Sequence, residues 1–298
     1  MSSQADSTPV WFITATSSGF GKQIALEALS RGHRVIATAR NSSKLTLLES
    51  KGAAVLDLDV TADQATLDAK LKEAAAIYGK LTHVVNAAGY ILVGAVEEAT
   101  QQEVQDVYNT NVFGILNIAR AAAPYLRESA KDGIASLVTF GSLGSYNSGP
   151  AIAHYCSTKQ AVSSISEGLA AELKPFGIDV CCVEPGYTRT EFLQKVDGRE
   201  RRVIAKRELE VYKEGPVRQL KDAMDAVNGK QPGDVEKAGR VIVDVLTKEG
   251  VAKGREIPVR LPLGSDTVRQ IRERIGQYEA RIREWEDVAK LVDYASDF

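Results

Sequence analysis

The stretch Val10-Trp11-Phe12-Ile13-Thr14-Ala15-Thr16-Ser17-Ser18-Gly19-Phe20-Gly21-Lys22-Gln23-Ile24-Ala25 decides the fold. Val10–Thr14 is a short apolar run that ends in a Ser/Gly turn, and it reads as a buried strand. Gly19–Ser30 then repeats apolar residues at helical spacing (Ile24, Ala25, Ala28, Leu29). Glycines between a strand and a helix let the backbone approach a pyrophosphate, and the helix N-terminus offers unpaired N–H groups to it. Taken alone, the same turn also suits a strand–helix corner that binds nothing.

The alternation continues outward. Arg34–Ala39, Ala53–Leu58, Thr82–Ala87, Ile134–Phe140 and Ile178–Val183 read as further buried strands. Ala62–Tyr78, Thr100–Leu126 and Ile152–Lys174 read as helices between them. Pro124 is expected to bend or break the second of these helices, and Pro175 to stop the third. Short apolar strands alternating with helices give a parallel sheet buried on both faces. Right-handed crossovers then favour the doubly wound dinucleotide-binding fold. After Pro185 the pattern changes. Residues 190–233 are charged, with much potential helix and no clear strand. Asp234 is a natural N-cap for an apolar helix over Val235–Leu246, and Glu256–Leu261 is expected to be a seventh strand. Residues 266–298 read as a charged helix with one apolar stripe. Val268, Ile271, Ile275, Tyr278, Ile282 and Trp285 recur at spacings of three and four. The stripe fits packing on its own domain and cover of another subunit equally well.

Composition narrows the function. The 298 residues carry 37 Lys+Arg against 39 Asp+Glu, a net charge of −2. That balance argues against a nucleic-acid partner, which would need a basic stripe. At 44% hydrophobic and 26% charged the chain is not disordered. No apolar run approaches the roughly 18 residues of a membrane span. The first residues lack the basic start and apolar stretch of a signal peptide. Cys156, Cys181 and Cys182 are too few for a disulfide framework and lack metal-ligand spacing. The expectation is a cytoplasmic protein with no metal.

Tyr155 and Lys159 are four residues apart on a helix and share a face. An ammonium beside a phenol favours the phenolate and makes a general acid/base. Ser142 follows the fifth strand, where open α/β sheets place their crevice.

With these residues in hand, the chain resembles the short-chain dehydrogenases/reductases from about Val10 to Leu261. The family's Thr-Gly-x-x-x-Gly-x-Gly stands here as Thr14-Ala15-Thr16-Ser17-Ser18-Gly19-Phe20-Gly21, and its Asn-Asn-Ala-Gly as Asn86-Ala87-Ala88-Gly89. Asn111 matches its catalytic Asn, Ser142 its catalytic Ser, and Tyr155-Cys156-Ser157-Thr158-Lys159 its Tyr-x-x-x-Lys. Pro185-Gly186-Tyr187-Thr188 matches its Pro-Gly segment. Ala15 and Ala87 depart from the pattern. The first puts a Cβ in a tight turn, and the second removes an amide.

The resemblance implies a single Rossmann-like α/β domain with a doubly wound parallel sheet of seven strands. Residues 10–189 would form the core, 190–233 a helical substrate lid, 234–261 the last helix and strand, and 266–298 a long C-terminal helix. It implies a ketone or aldehyde interconverted with an alcohol. Tyr155 would move the proton, Lys159 would lower the Tyr155 pKa and bond the nicotinamide ribose, Ser142 would bond the substrate oxygen, and Asn111 would hold a relay water. Thr14, Thr16 to Gly21, Val60, Asn86 to Gly89, Pro185, Gly186 and Thr188 would line the cofactor. Asp59 would bond the adenine amine, or serve only as a helix cap. Arg40 ends the second strand where an NAD user often carries an acid, which favours NADP(H).

Substrate contacts are expected from Tyr90, Leu143, Tyr146, Tyr187, Phe192, Leu193 and Tyr212. They suggest an apolar or aromatic small molecule, as in the steroid- and retinol-dehydrogenase-like branch. Two alternatives stay open: a non-catalytic NADP-sensing regulator, and a reductase of thioester-linked ketones docking on Arg201, Arg202, Lys206 and Arg207. Family resemblance also implies a homodimer or homotetramer, with Val112, Ile115, Ile118 and Ala122 in the contact.

Overall fold

A computed structural model describes residues 7–294 apart from 134, 194, 197 and 198. Its main sheet has β1 (Val10–Ile13), β2 (Arg34–Ala39), β3 (Ala54–Asp57), β4 (His83–Val85), β5 (Ala135–Phe140), β6 (Ile178–Pro185) and β7 (Arg260–Leu263). The order is β7-β6-β5-β4-β1-β2-β3, and every pairing is parallel. Ile13 is level with both Ala37 and Val85. The turns that leave β1 and β4 therefore open on the same edge. The strand order reverses between these two strands, which creates a crevice at their carboxyl ends.

The apolar runs explain the layers. Along β1, Val10 and Phe12 enter one core cluster, while Trp11 and Ile13 enter the other, as the two-residue period of a strand dictates. The first face is covered by the helices Gln64–Tyr78 and Gly114–Ala130 through Leu67, Leu71, Ile118 and Ala122. The second is covered by Gly19–Ser30 and Val235–Thr247 through Ile24, Ala25, Ile242 and Leu246. Each fully buried Leu or Ile among them contributes about 1.5–3 kcal/mol. Asp234 caps the last of these helices by accepting from the N–H groups of Glu236 and Lys237.

Several expectations need correction. The helix over Thr100–Leu126 does not break at Pro124. Helix Gly114–Ala130 runs through it, with Pro124 on the exposed side of the helix. The irregularity lies earlier, in a π turn over Asn109–Phe113. The seventh strand is Arg260–Leu263, later than Glu256–Leu261, because Arg260 to Leu263 align with Cys182 to Pro185 of β6. Its Pro262 is tolerated because β7 is an edge strand. Residues 190–233 contain strand as well as helix. Arg202–Ile204 pairs in parallel with Ile91–Val93, and helix Gly215–Val227 follows.

Val112, Ile115, Ile118 and Ala122 are all at most 5% exposed within a single chain. Val112 and Ile115 pack with Val162 and Cys182, whereas Ile118 and Ala122 pack on the sheet. Both apolar faces of that helix are used internally, so these residues are core and not a subunit contact. The C-terminal helix runs from Ser265 to Ala289. Thr267 is buried at its base, and every residue from 275 to 294 is exposed. Among the described residues no helix is long and apolar enough to cross a membrane.

Candidate active site

A single cavity of about 1030 Å³ follows the carboxyl edge of the sheet. At one end stand Arg40, Lys44, Asp59, Val60 and Thr61. Ser17 to Gly21, Ala87 to Gly89 and then Ser142, Tyr155 and Lys159 follow. Leu193, Leu220 and Met224 close the far end.

The turn after β1 is built for close approach. Ala15 holds a left-handed backbone, φ 54°, at the position where a glycine was expected. Its side chain does not obstruct the turn; it packs against the core cluster on one face of the sheet. A left-handed alanine costs about 1–2 kcal/mol, partly offset because glycine would loosen the unfolded chain by about 0.4–1 kcal/mol. Ala15→Gly is therefore expected to raise the thermal midpoint by about 1–3 °C. Differential scanning calorimetry checks this, and a lower midpoint would show that the turn gains from its methyl group.

Gly21 has no such latitude. A Cβ there would lie 2.8 Å from the Thr14 carbonyl oxygen and 2.9 Å from that of Ala15. The absence of a side chain lets the first helix start directly against the turn. Ser18 caps that helix without a side-chain bond, and its buried hydroxyl has no hydrogen-bond partner among the described residues. Thr14 joins the two turns from behind. Its Oγ1 accepts from the N–H groups of Ala87 (3.0 Å) and Ala88 (3.2 Å). Thr16 donates to the Thr38 carbonyl. Thr14, Thr16 and Asn86 are buried and support the lining rather than forming it. Asp59 accepts from the N–H and hydroxyl of Thr61; the cap of the next helix is Asp63.

Ser142 lies two residues beyond β5 and caps a short 3₁₀ turn, accepting from the Gly144 N–H at 3.1 Å. Tyr155 and Lys159 project from helix Ala153–Leu173. Ser142 and Tyr155 line the same cavity, and the Ser142 hydroxyl stands near enough to the phenol to favour its ionised form. Lys159 Nζ lies 5.8 Å from the Tyr155 ring centroid and donates to the Phe140 carbonyl at 2.8 Å. The expected lowering of the Tyr155 pKa is not found in this geometry. Burial pushes the phenol well above its ordinary value, against a smaller downward pull from Ser142. Burial also brings the Lys159 ammonium down to about 8. Both groups shift in the direction desolvation dictates, toward the neutral form.

Asn111 sits in the π turn, a feature that often marks functional sites. It does not line the cavity. Its Nδ2 donates to the Tyr90 carbonyl (2.9 Å) and to Thr158 Oγ1 (3.1 Å), and its Oδ1 accepts from the Tyr90 N–H (3.1 Å). The widened turn thus clamps the loop after β4 to the helix that carries Tyr155. Gly89 permits this approach, since a Cβ there would come within 3.2 Å of Asn111 Oδ1 and 3.4 Å of Lys159 Nζ.

Tyr90, Leu143, Tyr187, Phe192 and Leu193 line the cavity as expected. Tyr146 and Tyr212 do not. The Tyr146 hydroxyl donates to the buried Glu184, and its ring lies under Arg260, 4.5 Å from the guanidinium carbon. The Tyr212 hydroxyl donates to Glu97 at 2.5 Å, on the outside. The arginine cluster is not an open basic patch. Arg202 pairs with Asp225 at 2.5 Å, and Arg207 bonds the Glu97 carbonyl. Arg201 turns into the cavity and donates to Ser17 Oγ at 3.3 Å. Sequence reasoning missed it there, as it missed Leu220 and Met224, which face the cavity from the helix Gly215–Val227.

The model of the short chain dehydrogenase family matches residues 9–201, more than half of the chain. The chain belongs to the short-chain dehydrogenase family. Oxidoreductase calM of Penicillium decumbens is 32% identical over 298 residues, covering 96% of this chain and 92% of its own. A short-chain dehydrogenase from Streptomyces avermitilis, solved by crystallography, is 35% identical with a TM-score of 0.84, over 97% of this chain and 100% of that one. A family structure from Burkholderia phymatum in complex with NAD shares the fold at 19% identity, with a TM-score of 0.75 over 92% and 95% of the two chains. The protein is accordingly an oxidoreductase of the short-chain dehydrogenase family.

Proposed function

We propose that the protein interconverts a ketone or aldehyde with its alcohol on an apolar or aromatic small molecule, using NADP(H). One observation carries this reading: Ser142, Tyr155 and Lys159 meet on a single cavity that is charged and polar around Arg40, Lys44 and Asp59 and apolar around Leu193, Leu220 and Met224. The residues fit a dinucleotide. The cradle at Gly21 would be filled by a Cβ, and the unpartnered Ser18 hydroxyl lies where the first helix begins. Arg40 and Arg201 supply positive charge to the cavity; burial depresses the Arg201 pKa most, the Glu191 carboxylate opposes that, and Arg40 adds a smaller depression. A 2′-phosphate answers that pair of charges better than a bare ribose does. Thr14, Thr16 and Asn86 would act as supports, and Asp59 would reach the adenine end. Pro185, Gly186 and Thr188 would flank the other ring.

When bound, the nicotinamide supplies or accepts the hydride. Tyr155 donates its phenolic proton to the substrate oxygen in reduction and takes it back in oxidation. Its raised pKa keeps it protonated at neutral pH, which suits reduction. Ser142 stabilises the negative charge that develops on that oxygen. Lys159 holds a positive charge beside the phenol, and Asn111 positions the loop that brings Tyr90 to the site. Residues 190–233 act as the lid, with Phe192 tilted against Tyr155 at a ring-centroid distance of 6.0 Å, and Leu193, Leu220 and Met224 exclude water.

A pH profile follows from Lys159. Its amine is depressed to about 8, so the ammonium form persists below that value and is lost above it. kcat/KM for reduction is expected to be level near neutrality and to fall about tenfold per unit above pH 8. A profile level to pH 9.5 (about 1.5 units beyond the Lys159 value) would remove Lys159 from the mechanism. Following NADPH consumption over a panel of ketones and aldehydes, free and thioester-linked, tests the substrate class. Turnover confined to the thioester-linked ketones would contradict it.

A further inference from the structure

The C-terminal helix leaves the body of the protein with an apolar stripe that, among the described residues, is touched only by its own Arg274 and Arg281, whose guanidinium groups lie over the Tyr278 ring. Thr267 is buried at its base and Ile271 is partly buried, but every residue from 275 to 294 is exposed. Ile282 is 61% and Trp285 55% exposed. The uncovered part of the helix, Ile275 to Ala289, extends for about 22 Å at 1.5 Å per residue. An isolated helix of this length is marginal in water, and Gly276 in its interior weakens it by about 1 kcal/mol. An intramolecular surface does not stabilise it, so its stability calls for a partner.

The spacing of the stripe says what kind of partner. Ile275, Tyr278, Ile282, Trp285, Ala289 and Val292 alternate at three and four residues. That is a 3.5-residue period, the seam of a coiled coil, rather than the broader face of a helix that packs on a globular body. With Ile275 and Ile282 as a positions, the flanking g positions are Arg274 and Arg281, and the e positions five residues later are Glu279 and Glu286. In a parallel pair each g side chain reaches the next e side chain of the partner. Arg274 would meet Glu279 of the partner subunit, and Arg281 would meet Glu286 of the partner subunit. An antiparallel pair instead sets the g column against itself, arginine facing arginine. Among the described residues of one chain these glutamates pair only with exposed neighbours, Arg283 at 4.0 Å and Lys290 at 2.6 Å. Such pairs are weak, about 0.3–0.5 kcal/mol, and do not hold the carboxylates back.

We infer that the helix from Ile275 to Ala289 is the seam of a homodimer, formed by parallel coiled-coil pairing with a second copy of this chain. The interface lies outside the nucleotide cavity, so the inference does not depend on the proposed activity.

Sedimentation equilibrium on the full chain tests it. The parent is expected to be a dimer at micromolar concentration. The double variant Ile282→Glu/Trp285→Glu should raise the dissociation constant more than about 100-fold. Both side chains are exposed in the monomer, so the thermal midpoint of the catalytic body should hold. Ile282→Cys should oxidise to a covalent dimer, since a parallel seam sets each position opposite its own copy. Reversing the e charges with Glu279→Arg/Glu286→Arg should weaken the dimer. Mixing that variant with Arg274→Glu/Arg281→Glu should restore pairing as a heterodimer. A monomeric parent, or a double variant that keeps the parent's mass, would overturn the seam. A persistent dimer in which Ile282→Cys fails to cross-link would overturn the parallel arrangement.

Discussion

Tyr155→Phe is expected to lower kcat for carbonyl reduction by about 10²–10⁴-fold, the contribution typical of a positioned general acid. The ring remains, so its packing against Phe192 is kept, and only the hydroxyl is lost. KM and the dissociation constant for NADPH should change by no more than about twofold, because the phenolic proton acts in the transition state and not in ground-state binding. Steady-state kinetics with fluorescence titration of the nucleotide separates the two. A variant that keeps kcat within a fewfold of the parent would place the proton donor elsewhere.

Arg40→Ala is expected to weaken NADPH binding by roughly 1.5–3 kcal/mol, the range for hydrogen bonds to charged groups, while NADH binding barely changes. That corresponds to about 10–150-fold in dissociation constant. Arg40 is exposed at the cavity rim, so high salt should narrow the difference. Arg201 stands at the same end, bonded to Ser17, and Arg201→Gln should add a further loss for NADPH. Isothermal titration calorimetry with both nucleotides checks the pair. Equal losses for NADPH and NADH would make Arg40 a structural charge and remove the case for a 2′-phosphate.

The sheet was legible because its strands are buried on both faces, which leaves near-continuous apolar runs in the sequence. Asp234 was legible as a cap because its geometry is local. The positions of Ser142, Tyr155 and Lys159 followed from a motif set by strand ends and one helix face. What escaped was non-local. Nothing near Arg201 in sequence announces that its strand pairs with Ile91–Val93 and turns it toward Ser17. Tyr146 has the composition of a pocket residue, but Glu184 and Arg260, both distant in sequence, hold it elsewhere. Ile115 and Ile118 were expected in a subunit contact, because the faces that meet Val162 and Cys182, or the sheet, are defined only once the chain has folded. The Tyr155 expectation considered charge alone. Burial outweighs it, and burial is not written in the spacing of Tyr155 and Lys159.

The central claim is that Tyr155 and a nicotinamide nucleotide act together on a carbonyl carbon. Mass spectrometry of the alcohol formed with NADPH deuterated at both nicotinamide C4 positions tests this most directly. The prediction is a single deuterium on the carbinol carbon, with the hydroxyl proton drawn from solvent through Tyr155, and no such product above background in Tyr155→Phe. If NADPH binds tightly yet no carbonyl in the panel gains deuterium, the protein senses the nucleotide without using it, and the account is wrong.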